Sequence, residues 1–274
     1  MANGMFKNFK KKLDYLIGKY ITGRNTFLYS NFKPNSAGSY RMRDKATVYN
    51  VQNIVKLISK VSLKFKNVEI LDIQDLSYDR KTKEKLVELF NLYGSDKSSF
   101  HNYEIIYSHV LTNLPKRISL LEIGLGTNNT NIISNMGKLG KPGASLKAFS
   151  EFLPDSKIFG ADVDKDILFT TKNISTFYID QTKYETYSKF LKSVNNIKFD
   201  LIIDDGLHLQ SANLNTLYFA LENLKHGGYL LIEDVPEFAL DTWKIVNNLL
   251  SYDFELKIVK TKINYVILVK KIEA

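Results

Sequence analysis

Ile118-Ser-Leu-Leu-Glu-Ile-Gly-Leu-Gly-Thr127 is the stretch on which the fold turns. Its first six positions are apolar but for Ser119 and Glu122, and two glycines close it. A short leucine- and isoleucine-rich run stopped by glycine reads as a buried strand entering a tight turn. Downstream, similar runs recur at 157–161, 176–179, 199–203 and 229–232, and helical spacing of apolar residues fills 144–152, 184–194, 212–224 and 239–250. Upstream, helical patterns cover 83–93, ended at Gly94, and 103–114, ended at Pro115. Glycine just past a helix accepts the left-handed backbone that a C-terminus needs, and proline cannot continue the helix. Strands alternating with helices, the strands apolar throughout, predict an α/β fold of Rossmann-like, doubly wound type around a mostly parallel sheet. The tail, 254–259 and then 264–269, is a close pair of strand patterns, so an antiparallel C-terminal edge hairpin is expected.

Working back toward the N-terminus, the pattern loosens. An amphipathic basic helix is expected at about 5–20, with Phe6, Phe9, Leu13, Leu16 and Ile17 on one face, then a polar stretch at 22–44, a helix at 48–61 and a short strand at 68–73. These features divide the chain into a mainly helical extension, 1–80, and a catalytic domain, 81–274. The extension carries no chemistry-bearing motif; its expected roles are packing, homo-oligomer contacts or a cover over the site. Its first helix is suited to another subunit or to peripheral contact with an anionic membrane.

The chain has no cysteine, which excludes disulfides, thiolate metal sites and cysteine nucleophiles. No run approaches the apolar length of a membrane span and no signal-peptide pattern is present, so a cytoplasmic location is expected. The formal charge of +9 invites polyanionic partners, but the lysines are dispersed, with one dense cluster at Lys10-Lys11-Lys12, and most of this charge reads as solvated surface.

In an open parallel sheet, ligands bind beyond the carboxyl ends of the strands where the strand order reverses. The residues following each strand pattern are therefore the candidates. Gly124 and Gly126 let the backbone approach a ligand. Asp162, after Gly160-Ala161, stands where a cofactor ribose is commonly held, and Asp180-Gln181-Thr182 offers an acid and an amide suited to a base edge. After the next two strands come Asp204-Asp205-Gly206-Leu207-His208 and Glu233-Asp234. Clustered carboxylates are unfavourable unless a cation or base shares the site, and hard oxygen donors suit Mg²⁺ or Ca²⁺. Asp205, Glu233 and Asp234 are the expected metal ligands, and His208 the expected general base.

The runs Leu120-Leu-Glu-Ile-Gly-Leu-Gly-Thr-Asn128, Ser134-Asn-Met-Gly137, Gly140-Lys-Pro-Gly-Ala-Ser-Leu146, Tyr178-Ile-Asp-Gln-Thr182 and Asp204-Asp-Gly-Leu-His208 together resemble class I S-adenosylmethionine (SAM)-dependent methyltransferases. The pattern is similar to the metal-dependent macrolide-sugar O-methyltransferases of the mycinamicin and macrocin type. Tyr93-Gly-Ser-Asp-Lys97 and His101-Asn-Tyr103 resemble that group's lead-in, and the likeness covers roughly 88–240. The resemblance implies O-methylation of a sugar hydroxyl, with SAM and Mg²⁺ as cofactors, His208 and Asp205 catalytic, and Asp205, Glu233 and Asp234 on the metal. It places cofactor contacts on Glu122, Gly124, Gly126, Asp162, Asp180, Gln181 and Asp204. The polar insertion at 127–142 departs from the pattern by delaying the helix after the glycine turn, so Asn128 or Ser145 stands as a substitute contact.

As acceptor, surplus lysine favours a nucleotide-linked sugar such as a GDP-hexose or GDP-heptose for surface polysaccharide; a glycosylated small-molecule natural product is the alternative. Nucleic-acid methylation is a third reading, opposed by the absence of an Asn/Asp-Pro-Pro-aromatic motif and of an arginine-rich segment. A silent scaffold fits poorly with intact acids and histidine at the strand ends. His101 and Tyr103 are read as either site or structural residues, His109 as helix packing, His226 as a turn residue, and Trp243 as core or interface.

Overall fold

In a computed structural model, which describes residues 68–272, the strand and helix patterns fold into one eight-stranded sheet with helices on both faces. The strands are β1 (Glu69–Asp72), β2 (Ser119–Ile123), β3 (Lys157–Asp162), β4 (Ile174–Tyr178), β5 (Phe199–Asp204), β6 (Leu224–Val235), β7 (Phe254–Lys260) and β8 (Tyr265–Lys271). The helices are α1 (Arg80–Tyr93), α2 (Asp96–Ser99), α3 (Glu104–Thr112), α4 (Ala144–Phe152), α5 (Tyr184–Ser193), α6 (Gln210–Asn223) and α7 (Leu240–Leu249). The extension's helices expected at 5–20 and 48–61 lie outside the described residues. The expected strand at 68–73 is β1, which joins the same sheet as the rest.

Local chemistry sets the element ends. Asp79 caps α1 by accepting a hydrogen bond from the Thr82 amide at 2.7 Å, and Gly94, at φ 76°, turns the chain out of it. Gly143 at φ 69° plays the mirror role at the start of α4, so the helix after the glycine turn is delayed as the 127–142 insertion predicts.

The strand order is β1-β7-β8-β6-β5-β2-β3-β4. β8 is antiparallel to both neighbours, and all other pairs are parallel. The C-terminal hairpin therefore forms as expected. β8 inserts between β6 and β7, which leaves β7 free to pair on its outer side with β1. β6 begins earlier than its apolar run, at Leu224, and takes His226 into the strand rather than a turn.

Alternate strand residues face opposite layers, as the pleat requires. Leu120, Ile203 and Leu231 pack with Phe90, Tyr107 and Phe149 from α1, α3 and α4. Leu121, Ile202 and Leu230 pack with Tyr187, Phe219 and Trp243 from α5, α6 and α7. Both faces of the central strands are covered, which is why they read as continuous apolar runs. After β2 the chain winds outward through β3 and β4, then returns to place β5 on the other side of β2. The order reverses there, with Ile123 opposite Asp204. Among the described residues no helix is long and apolar enough to cross a membrane.

Candidate functional site at the strand tips

The crevice at this reversal is a cavity of about 540 Å³, within the usual size range of small-molecule sites. Its floor is tied across the switch point: the Gly124 amide donates to the Ala161 carbonyl and the Asp205 amide to the Ile123 carbonyl, both at 2.8 Å. A Cβ on Gly124 would fall 2.1 Å from the Asp205 carbonyl oxygen, so the β2 and β5 loops approach as closely as they do because this residue has none. The insertion folds back over the turn, with the Met136 amide on the Thr127 carbonyl at 2.8 Å, and Ser134 Oγ donates to the Gly206 carbonyl at 2.5 Å.

Two of the expected residues sit on backbone that non-glycine residues seldom adopt: His208 at φ 51° and Asp234 at φ 54°. The β6–β8 register breaks between Ile232 and Val235, so Glu233 and Asp234 form an irregularity at the strand tip. Such irregularities re-aim side chains, and both acids reach the cavity wall. Ligand atoms of Asp205, His208 and Asp234 lie within 4.8 Å of one another. His208 Nε2 is 3.9 Å from Asp205 Oδ1 and 4.0 Å from Asp234 Oδ2. Asp234 also accepts from Tyr103 Oη at 2.8 Å and Asn264 Nδ2 at 3.1 Å. Burial alone would raise its pKa, but His208, His101 and these hydrogen bonds outweigh burial and hold its carboxyl below the ordinary range. His101 and Tyr103 both line the cavity: His101 stacks on Tyr103 at 4.8 Å between centroids, with Nδ1 3.4 Å from Asp234 Oδ1.

Glu233 is placed differently from its strand-tip neighbours. It is buried, with Oε2 on Lys97 Nζ at 2.6 Å and Oε1 accepting from the Tyr107 hydroxyl. Lys97, from the short helix α2, also reaches Asp205 Oδ2 at 2.7 Å and Glu122 Oε1 at 3.3 Å. Burial disfavours its charge, yet Asp205 and Glu233 outweigh burial and hold the ammonium well above the ordinary lysine range. Lys97 and Tyr107 escape a reading of strand ends because neither follows a strand. A lysine among 38 basic residues carries no local mark of burial.

On the other side of the switch point, Gly126, Asp162, Asp180 and Gln181 line the cavity with Gly124, while Glu122 and Asp204, expected beside a cofactor, lie fully buried behind its wall. Glu122 accepts from Ser145 Oγ at 2.7 Å, and Ser145 itself lines the cavity. Asn128 instead bridges the Gly137 and Gly140 carbonyls within the insertion, away from the cavity lining. Asp162 accepts from the Leu125 and Asp164 amides, both at 2.8 Å, which fixes the glycine turn. Beside it Val163, an apolar side chain left 43% exposed, faces the cavity. Asp180 is braced by Thr182 and by Lys183 at 2.8 Å.

Gln181, read as a base-edge residue, has both amide hydrogens engaged, on Asp204 at 2.7 Å and Thr216 at 3.1 Å, and its Oε1 accepts from the Leu207 amide at 2.7 Å. The side chain is a buttress for the loop that carries His208. Gln181→Ala strips one hydrogen bond each from Asp204, Thr216 and the Leu207 amide, and urea unfolding is expected to show a loss of about 2 kcal/mol. A loss under about 0.5 kcal/mol would mean the loop is held by other contacts.

The remaining histidines stay outside the site. His109 Nδ1 meets the Ser77 carbonyl at 2.7 Å and His226 Nδ1 the Ile272 carbonyl at 3.1 Å. Trp243 is fully buried in the core beneath α7.

A solved structure of MycE methyltransferase from the mycinamycin biosynthetic pathway, in complex with Mg, SAH and mycinamycin VI, superposes with a TM-score of 0.55 over 69% of this chain and 55% of that one, at 22% identity. The chain has the class I methyltransferase fold. Among curated relatives, L-olivosyl-oleandolide 3-O-methyltransferase of Streptomyces antibioticus is 28% identical over 146 residues, 52% of this chain and 35% of that protein. Mycinamicin VI 2''-O-methyltransferase of Micromonospora griseorubida is 29% identical over 156 residues, 56% of this chain and 36% of that protein. A rhamnosyl-tetracenomycin 2'-O-methyltransferase of Streptomyces olivaceus is 25% identical over 145 residues, 52% and 35% of the two lengths. The chain thus spans about a third of the length of these relatives. No protein-family model matches it. Within the class I methyltransferase fold, the cavity beside Gly124 lies where the strand order reverses, and Asp205, His208, Glu233 and Asp234 line the same cavity.

Proposed function

We propose that this chain is a SAM-dependent O-methyltransferase that methylates a sugar hydroxyl of a glycosylated small molecule, with a divalent cation at the acidic wall of its cavity. The observation that carries the reading is the convergence of Asp205, His208 and Asp234 on one point of the cavity that also holds the Gly124 turn. The Asp205 and Asp234 carboxylates suit a hard cation, since they meet at one point and Asp234 is held ionised, and His208 stands beside them as the base. The close-packed glycine turn, Asp162 and the exposed face of Val163 suit a nucleoside cofactor. The relatives that support the acceptor class are named for O-methylation of sugars on oleandolide, mycinamicin and tetracenomycin.

Bound SAM supplies a methyl group already activated on a sulfonium, and the cation supplies positive charge that favours an ionised acceptor oxygen. The chain's own work is placement and proton removal. Asp205 and Asp234 would hold the metal, with Glu233 adjoining it through the Lys97 ion pair. His208 Nε2, the ring atom facing both aspartates, takes the hydroxyl proton as the oxygen bonds to the methyl carbon and the carbon–sulfur bond breaks. His101 and Tyr103 steady Asp234 from the opposite side.

A nucleotide-linked sugar for surface polysaccharide is the second reading. Lys141 and Lys183 line the cavity and would suit a diphosphate, although Lys183 is paired with Asp180. Labelled SAM offered with a rhamnosylated aglycone and with a GDP-hexose separates the two. The expected result is label on the glycosylated aglycone, lost with a chelator and restored by Mg²⁺. Label on the nucleotide sugar alone would reverse the acceptor assignment, and transfer unaffected by chelation would remove the metal.

A further inference from the structure

The acidic wall contains a cation that the reaction scheme does not use. Lys97 Nζ is within 2.7 Å of Asp205 and Glu233 and 3.3 Å from Glu122, with 3% of its side chain exposed. Its ammonium also sits 5.8 Å from the centre of the Tyr107 ring, whose hydroxyl completes the shell of Glu233. A lysine so buried is tolerable only because carboxylates surround it, and it in turn offsets part of the burial that pushes the Glu233 and Glu122 carboxyls up. Asp205 is divided: Oδ2 is spent on Lys97, while Oδ1 faces His208 and the point where Asp234 converges. Any cation drawn to that point must share Asp205 with the ammonium and sit near its charge in a poorly solvated wall.

We propose that Lys97 is an internal counter-cation that opposes the divalent metal: it holds Asp205 and Glu233 assembled when the metal is absent and weakens metal binding when it is present. The inference rests on the metal reading above. Because coupling between two ligands of one site is reciprocal, metal entry loosens the Lys97 ion pairs as much as those pairs weaken metal entry. Lys97 is a positioning residue here, acting through the two carboxylates.

The test is Mg²⁺ titration of the full chain, followed by calorimetry and by thermal melting with and without chelator. Lys97→Met is expected to melt lower than wild type in chelator, to gain more in Tm from saturating Mg²⁺, and to bind Mg²⁺ at least about tenfold more tightly. Lys97→Arg, which keeps the charge, is expected to restore wild-type Mg²⁺ affinity. Should Lys97→Met fold in neither condition, the wild-type protein decides: the ¹⁵Nζ resonance of Lys97, identified by its loss in Lys97→Arg, is expected to shift as Mg²⁺ is added. Equal or weaker Mg²⁺ binding by Lys97→Met, or a Lys97 resonance indifferent to saturating Mg²⁺, overturns the proposal. Wild-type protein that binds no Mg²⁺ at all would instead overturn the metal reading on which it rests.

Discussion

His208→Ala is expected to lower methyl transfer by about 10² to 10⁴-fold while leaving cofactor affinity within about twofold of wild type. The loss follows from position: Nε2 faces the two aspartates at 3.9 and 4.0 Å, and the described residues offer His101 as the other imidazole near Asp234, on its opposite side. Cofactor affinity should persist because the Gly124 turn and Asp162 are held by bonds that do not involve this ring. Backbone strain is a competing explanation, since alanine fits poorly at φ 51°. His208→Asn removes that objection, because asparagine is among the side chains best suited to the left-handed region. Both variants should be inactive in a labelled-SAM assay and both should bind S-adenosylhomocysteine by calorimetry. Turnover within tenfold of wild type in His208→Asn would take the proton-acceptor role away from this residue.

Gly124→Ala is expected to abolish cofactor binding and to cost on the order of 3 kcal/mol of stability. Two independent obstacles meet at this position. Its φ of +97° is a conformation that residues with a Cβ rarely adopt, and the added carbon would overlap the Asp205 carbonyl oxygen at 2.1 Å and Gly206 Cα at 2.6 Å. Backbone cannot move aside as a flexible side chain would, so the β2 and β5 loops must part. That separation breaks the Asp205 amide bond to Ile123 and displaces Asp205 itself. Denaturant unfolding and calorimetry with S-adenosylhomocysteine together check both halves. A variant with wild-type stability and affinity would show that the two loops are not held as closely as described.

The two residues illustrate how unevenly the sequence discloses its site. The order of strands and helices from 80 to 271 is legible because periodicity and end signals are local: Asp79 and Gly94 bound α1, and the apolar runs of β2, β5 and β6 are continuous because both their faces are covered. Candidate residues at the strand tips are legible for the same reason, since a parallel sheet puts all its carboxyl ends on one side. Gly124, Gly126, Asp162, Asp180, Asp205, His208, Glu233 and Asp234 do line one cavity.

What each tip residue does there was not legible. Gln181 and Asp204 look like ligand-binding groups along the chain, but their polar atoms are consumed by one another and by Thr216, Leu207 and Asn213, partners 9 to 35 positions away. Lys97 closes the Tyr93-Gly-Ser-Asp-Lys97 run, but nothing local marks its burial, and its partners lie 25, 108 and 136 positions downstream. Val163 carries no mark along the chain of the exposed place in the cavity that the β3 tip gives it.

Hydrophobic period, glycine and proline make the alternation of strands and helices, and the end of the sheet where the chemistry gathers, readable along the chain; the entry of β8 between β6 and β7 and of β1 beside β7 is not. Folding alone settles which carboxylates face the cavity, which are spent on holding it, and that a buried lysine sits among them. Side-chain direction and burial depend on distant partners, and an electrostatic cluster exists only once residues remote in sequence share a low-dielectric space.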